Sequence, residues 1–515
     1  MVEEGAAKVH SVDAFTLYKP LRNKISQLSI VEALYVVWAY SRQLQFPTYD
    51  LPKDIEASKE FLVAKFPQQF VAEWELETLT REIVLNAPTR GTPGRTLRSW
   101  KVLIGLVGAL RHLENEIYKQ YGKEGDILVE LIRIAHRQFV WQIASPNGAS
   151  AIRYFRIFDD EEIDRVCFER IGLTVRQAFQ CGMAIFSVFL NEPMVRLPIP
   201  NHIKGLLDEN VVKFLAFASC GFADLKRALR DEQQYNSKFA YAVSSLRKSP
   251  LIVMSSAQGS VLLCPLPTLL FWRMTGGLYY DLIPDRRFSQ PYGRNFQRYV
   301  GEAIERACPS GRMRLLAEQQ YGPKALARAT TDWILDDTNA ALFLECKSKR
   351  LSWEAKTGLD DLAALNSDID HMANAVVQVY RTINDYLANN YPHLPFDPKR
   401  KIFPAVVTLE NWHMFGPEML SRLEKAVVGK LKEGGISTDV LDKMPYSVWA
   451  IEELERGMQI VDATGLLDFL HGKIADQEMR RWEWAAYMNQ RFSRFARRSL
   501  FQEEYEAMFR SLIPT

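Results

Sequence analysis

Between residues 332 and 349 the chain reads Asp-Trp-Ile-Leu-Asp-Asp-Thr-Asn-Ala-Ala-Leu-Phe-Leu-Glu-Cys-Lys-Ser-Lys. Two apolar runs, Trp333 to Leu335 and Leu342 to Leu344, flank the turn-forming residues Asp336 to Asn339, so the spacing predicts two strands joined by a tight connection. Side chains alternate along a strand, which puts Glu345 and Lys347 on one face and Leu344 and Cys346 on the other. A carboxylate at the end of an otherwise apolar strand is costly to bury without a partner or a metal. Asp332, at the start of the first strand, offers a second carboxylate. Two carboxylates converging from paired strand ends make an all-oxygen site for Mg²⁺ or Mn²⁺, and the neighbouring ammonium of Lys347 is suited to position a water or to stabilise developing negative charge, as phosphodiester hydrolysis requires. The alternative for the same residues is a surface hairpin with a Glu/Lys pair, but Leu-Phe-Leu leading into Glu-Cys-Lys is a poor surface strand.

Asp332 followed on the next strand by Glu345-Cys346-Lys347 resembles the motif of the PD-(D/E)xK nuclease superfamily, the restriction-endonuclease-like fold. The resemblance covers residues 286–460. It implies a metal-dependent DNA endonuclease in which Asp332, Glu345 and Lys347 are catalytic and Asp332, Glu345 and the carbonyl of Cys346 hold the metal. The helix expected around Tyr292-Gly-Arg-Asn-Phe-Gln297-Arg-Tyr-Val is similar to the family's first helix, with Gln297 where many members carry Glu; its amide still accepts from a metal-bound water. Gln378, on a helix expected over 370–391, is a second accessory candidate. Lys349, Arg350 and Lys356 follow the motif closely and are candidates for contacts to DNA phosphates.

The rest of the chain is read around this segment. Its 515 residues suffice for two or three domains, and 47% hydrophobic with 24% charged residues is ordinary for a globular protein. Lys and Arg number 64 against 62 Asp and Glu; with so small an excess, any nucleic-acid surface must be local. The first residues lack a basic stretch followed by an apolar one and no apolar run is long enough to cross a bilayer, so a cytoplasmic protein is expected. Six scattered cysteines without a Cys-x-x-Cys pair suit reduced thiols, and the eight histidines show no metallopeptidase spacing.

The expected fold is α+β and multidomain: a large all-α region over 1–245 with a core of its own, a bridging hairpin and helix over 246–285, a mixed α/β restriction-endonuclease-like core over 286–470, and a helical segment over 471–515. Helices are expected over 29–40, 97–121, 126–143, 159–190 and 209–229 from three- and four-residue apolar spacing. In the tail, Arg491, Arg494 and Arg498 would share one helical face. The helical region carries no catalytic constellation and no trusted DNA-reading module. By analogy of layout it is a sensor that binds a protein trigger, as in bacterial anti-phage defence nucleases; restriction or repair nucleases are alternatives, and so is a non-catalytic nucleic-acid- or partner-binding protein on a nuclease fold.

Overall fold

The computed structural model describes residues 13–121, 134, 137, 141, 147–199, 206–236, 238–242, 244–257, 259–323, 327–352, 355–356, 363–391, 394–412, 417–495 and 498–510. The architecture is α+β. The helix expected over 126–143 lies largely outside the described residues.

Helices dominate the first half, and local signals set their ends. Asp160 accepts from the amides of Glu162 and Ile163 to start Glu161–Ile171, which Gly172 ends in the left-handed region at φ 74°. Thr174 and Gln177 then form a reciprocal capping box for Val175–Asn191. The first half is not all-α. Two short strands, β1 (Met194–Arg196) and β2 (Ser219–Gly221), join the hairpin formed by β3 (Leu251–Ser256) and β4 (Gly259–Leu263) in a sheet of order β1-β4-β3-β2. At three residues each, β1 and β2 are too short to show alternation in the sequence, and the hairpin expected to bridge two domains instead completes the sheet that they border.

The second sheet holds five strands in the order β11-β10-β9-β8-β5: β5 (Arg314–Ala317), β8 (Trp333–Asp336), β9 (Ala340–Lys347), β10 (Lys401–Thr408) and β11 (Ser447–Ala450). A two-stranded ribbon, β6 (Gln320–Tyr321) with β7 (Arg328–Ala329), stands apart. β8 and β9 form the expected antiparallel hairpin, whereas β9 runs parallel to β10, and β10 to β11. Central β9 is covered on both faces. Leu342 and Leu344 face a core shared with the helices Ser289–Ala307 and Ile451–Thr464, and Ala341 and Phe343 face one shared with Ala363–Leu387 and Pro417–Glu433. Near-continuous apolar β9 and β10 are what burial on two faces demands.

The buried clusters do not divide at residue 245. Ile152, Phe155, Phe158, Val166 and Phe179 belong to the same core as Phe296, Leu344 and Trp449. Within it Arg153, on Gly148–Phe158, makes a two-pronged pair with Glu455 at 2.8 and 2.9 Å, and Tyr299 Oη donates to the same carboxylate at 2.8 Å. All three are buried. The tail packs on this core through Trp484, whose ring stacks on Trp449 at 3.6 Å between centroids. Its helix Trp484–Arg491 ends at Arg491, so Arg491, Arg494 and Arg498 do not share a helical face. Among the described residues no single helix is long and apolar enough to cross a membrane.

Because Glu455 is the buried partner of Arg153, Glu455→Ala leaves an uncompensated interior charge and is expected to lower stability by about 3–5 kcal/mol in denaturant titration. A fragment ending at 245 would expose the apolar residues between Ile152 and Phe179, so it should aggregate or bind a hydrophobic dye strongly. Clean cooperative melting of that fragment would contradict the shared core.

Candidate active site

The hairpin aligns Trp333 with Leu344, which sets Asp332 and Glu345 opposite each other just before β8 begins. Past that point the backbone of β9 has lost its strand partner on this side, and Asp332 replaces it: the Cys346 amide donates to Asp332 Oδ2 at 2.6 Å. In an extended strand the N–H and C=O of one residue point the same way, so the Cys346 carbonyl also turns toward the side on which Asp332 stands. Glu345 is only 2% exposed. Its Oε1 accepts from Lys347 Nζ at 2.7 Å, and its Oε2 is buried with no hydrogen-bond partner among the described residues. Lys347 Nζ also reaches Gln378 Oε1 at 3.3 Å, which brings the exposed Gln378 of Ala363–Leu387 to the same point.

Gln297 is held beside the site by a close approach of helix and strand. A Cβ at Gly301 would lie 2.2 Å from the Trp333 ring, so only glycine lets Ser289–Ala307 pack this near to β8, and Trp333 Nε1 donates to the Gln297 carbonyl at 2.8 Å. The Gln297 side chain does not reach Asp332 or Glu345 by a direct hydrogen bond; its Nε2 donates to Glu318 Oε2 at 3.2 Å. Glu318 is the residue that the sequence reading missed. Its amide donates to the Asp332 carbonyl at 3.0 Å, and its charge raises the proton affinity of both Asp332 and Glu345. The one signal for it in the sequence is an acid directly after the short apolar run Leu315 to Ala317.

Three positions expected on the DNA side are placed differently from one another. Arg350 is buried, 2.9 Å from Glu410 Oε1, donating to the Gly276 carbonyl at 2.8 Å and to Tyr292 Oη at 3.0 Å, with the Tyr279 ring 4.2 Å away. Lys356 pairs with Glu410 Oε2 at 3.1 Å and is mostly enclosed. Both face inward and neither is open to a phosphate; the half-buried Glu410 carboxylate holds both, and a cage of tyrosines also surrounds Arg350. Lys349 lies 3.0 Å from Asp368 with its side chain 40% exposed, and remains at the surface. Asp336, read as a turn residue, is buried between Arg314 at 2.9 Å and Arg400 at 3.0 Å. Asp337 does serve the turn, accepting from the amides of Asn339 and Ala340.

Burial pushes the carboxyls of both Asp332 and Glu345 upward; for Glu345 the next cause is repulsion by Asp332, while Lys347 opposes it. Two acids held apart from water and close to each other favour sharing a proton or a cation. The donor set fits a hard divalent ion: two carboxylates, one with a buried oxygen that lacks a partner, beside a backbone carbonyl. Among the described residues no three acidic, His or Cys side chains already close around one point, so Mg²⁺ or Mn²⁺ held by Asp332, Glu345 and the Cys346 carbonyl would complete its shell with water and substrate, the usual arrangement for magnesium.

Compared with protein-family models, with curated proteins and with solved structures, the chain matches none.

The raised carboxyls have a consequence for stability. The folded state binds protons more tightly than the unfolded chain at these two groups, so their contribution is most favourable below the ordinary carboxylate range and is lost as pH rises through the raised values. Protein in EDTA is therefore expected to be less stable at pH 8 than at pH 5.5, and Glu345→Gln should recover on the order of 1–3 kcal/mol at pH 8. Mn²⁺ should raise the Tm of the native protein more at pH 8 than at pH 5.5, and the variant should lose most of that increase. A Tm increase of the same size in Glu345→Gln would place the ion elsewhere.

Proposed function

We propose that the protein is a metal-dependent endonuclease that hydrolyses phosphodiester bonds in DNA, with residues 286–470 as a restriction-endonuclease-like core. The observation that carries this is the unpartnered, buried Glu345 Oε2 beside Asp332 and Lys347 at the end of the central strand, an arrangement whose electrostatic cost makes sense if a cation offsets it. The strand order and the helices on both faces of the sheet are consistent with that core.

Asp332 and Glu345 would bind the ion, which supplies Lewis-acid polarisation of the phosphate and lowers the pKa of a bound water. Lys347, restrained by Glu345 and Gln378, donates to the attacking water or to a non-bridging phosphate oxygen as negative charge grows there. Gln297 and Glu318, one hydrogen bond apart, orient water at the mouth of the site. Lys349 supports the phosphate backbone of the substrate at the surface. The first half of the chain is proposed as a sensor for a protein trigger, an effector layout of the kind used against phage, and the tyrosine cage around Arg350 is its route to the site: Tyr154 on one side and the segment after Lys347 on the other meet at one guanidinium.

The test is incubation of the purified protein with plasmid and Mg²⁺ or Mn²⁺, with EDTA as control. Glu345→Ala and Lys347→Ala are expected to lower cleavage by at least about 100-fold with melting close to that of the native protein. Glu318→Gln should lower it less, roughly 3- to 30-fold. Cleavage by Lys347→Ala at the native rate would remove the assignment.

A further inference from the structure

A second feature shares the edge and the face of the sheet on which Lys347 lies. Across β9, β10 and β11 the register aligns Lys347 with Thr408 and Thr408 with Ala450, and residues aligned in this way point to the same face. Thr408, Val448 and Ala450 form part of the wall of a cavity of about 560 Å³, so its wall begins one strand over from Lys347, about 5 Å away between backbones.

The wall chemistry is selective. Tyr446 and Trp482, both half-buried, offer ring faces, and Arg480 and Arg481 stand exposed at the rim. Trp412, 4% exposed, also lines the cavity, and its Nε1 is a buried donor without a partner among the described residues. Glu424, exposed, and Glu483, half-buried, also line it, so its charged lining carries both signs, while the two buried charged groups are already engaged. Lys473 donates to the carbonyls of Met479, Arg480 and Trp482 at 2.6, 3.1 and 2.8 Å, and Glu453 accepts from the amides of Ala450 and Ala485 at 2.9 and 3.3 Å. What remains is an aromatic slot with one unmatched N–H donor, and with Arg480 and Arg481 exposed beside the two glutamates, a lining that receives a flat heteroaromatic ring bearing acceptors and offers guanidinium groups to its phosphate.

We propose that this cavity binds an unstacked nucleobase of the strand being cut, next to the scissile phosphate, with Tyr446 and Trp482 against the ring, Trp412 Nε1 donating to a ring acceptor and Arg481 on the flanking phosphate. The proposal rests on the nuclease reading of Lys347 and makes the preferred substrate single-stranded or locally unpaired, since a base within a duplex cannot enter without leaving its stack.

The experiment measures binding in EDTA, where no cleavage occurs, using full-length protein and fluorescein-labelled short oligothymidylate, the same backbone without bases, and a blunt duplex of equal length. Oligothymidylate is expected to bind at least about 10-fold more tightly than the abasic strand. Trp482→Ala should remove most of that difference while leaving the abasic affinity and the Tm unchanged, and Arg481→Ala should weaken both strands. Equal affinities for the two single strands, tighter binding of the duplex, or a Trp482→Ala loss of equal size on both strands would overturn the proposal. Thymidine monophosphate that binds in a Trp482-dependent way without competing with oligothymidylate would overturn it too, by making the occupant a free nucleotide. These readouts are independent of cleavage: native cutting by Glu345→Ala would refute the nuclease reading alone, while failure here with a silent Glu345→Ala would refute the base-binding cavity alone.

Discussion

Everything in the second half of the molecule is arranged around a carboxylate that ought not to be where it is. Glu345 sits on the central strand of the five-stranded sheet, covered on both faces and 2% exposed, where removing an ionised group from water costs several kcal/mol even after local relaxation. Only half of it is matched, by Lys347, while its second oxygen has no partner among the described residues. Asp332 adds to the cost by repulsion. A fold selected for stability alone would replace Glu345 with another apolar residue continuous with Leu342, Phe343 and Leu344, and such a replacement at buried charges is often stabilising. The strain is local and is confined to the strand end where β8 has stopped pairing.

That strand end is held from three directions. Asp332 takes over the hydrogen bond that β8 no longer supplies to Cys346, the Gly301 contact locks the Ser289–Ala307 helix against Trp333, and three residues beyond Lys347 the guanidinium of Arg350 is fixed by Glu410, Gly276 and Tyr292. The last of these joins distant parts of the chain. Tyr154 and Tyr279 belong to segments that pack with the helical first half, and Glu410 follows β10, so a shift in how the first half packs would be felt by the chain immediately after Lys347. A buried ion pair of this kind adds little net stability, but it fixes one geometry, which a site made of strand termini needs.

The parts of this arrangement that were legible in the sequence are those set by period. The hairpin of β8 and β9 follows from two apolar runs around turn-forming residues, helices were expected where Ser289–Ala307 and Ala363–Leu387 stand, and the alternation of side chains along a strand placed Glu345 and Lys347 side by side. What was not legible depends on partners far away in sequence. Arg350 and Lys356 look like surface cations because nothing nearby announces Glu410 or the tyrosines. Asp336 looks like a turn residue because Arg314 and Arg400 are 22 and 64 positions distant. Glu318 is invisible for the same reason, since its place beside Asp332 is decided by how β5 pairs with β8. Length sets the other limit: three-residue strands such as β1 and β2 show no period at all, and the tail breaks at Phe492 although its apolar pattern continues.

On the proposed nuclease reading, Gln297 and Glu318 would keep the chemistry of a motif that has changed. Where the resembled family places a glutamate on its first helix, this chain has an amide, and a carboxylate appears instead at the end of β5, one hydrogen bond away. A third full charge on the helix would crowd the buried pair and raise their proton affinities further. Moved to an exposed position, the same charge is partly screened by water and still biases the field at the site. The amide then works as a relay, donating to Glu318 with its nitrogen while leaving its oxygen as an acceptor for water. The site thus holds two acids in its interior and a third at its mouth, a gradient of burial that separates groups suited to grip a cation from one suited to handle protons.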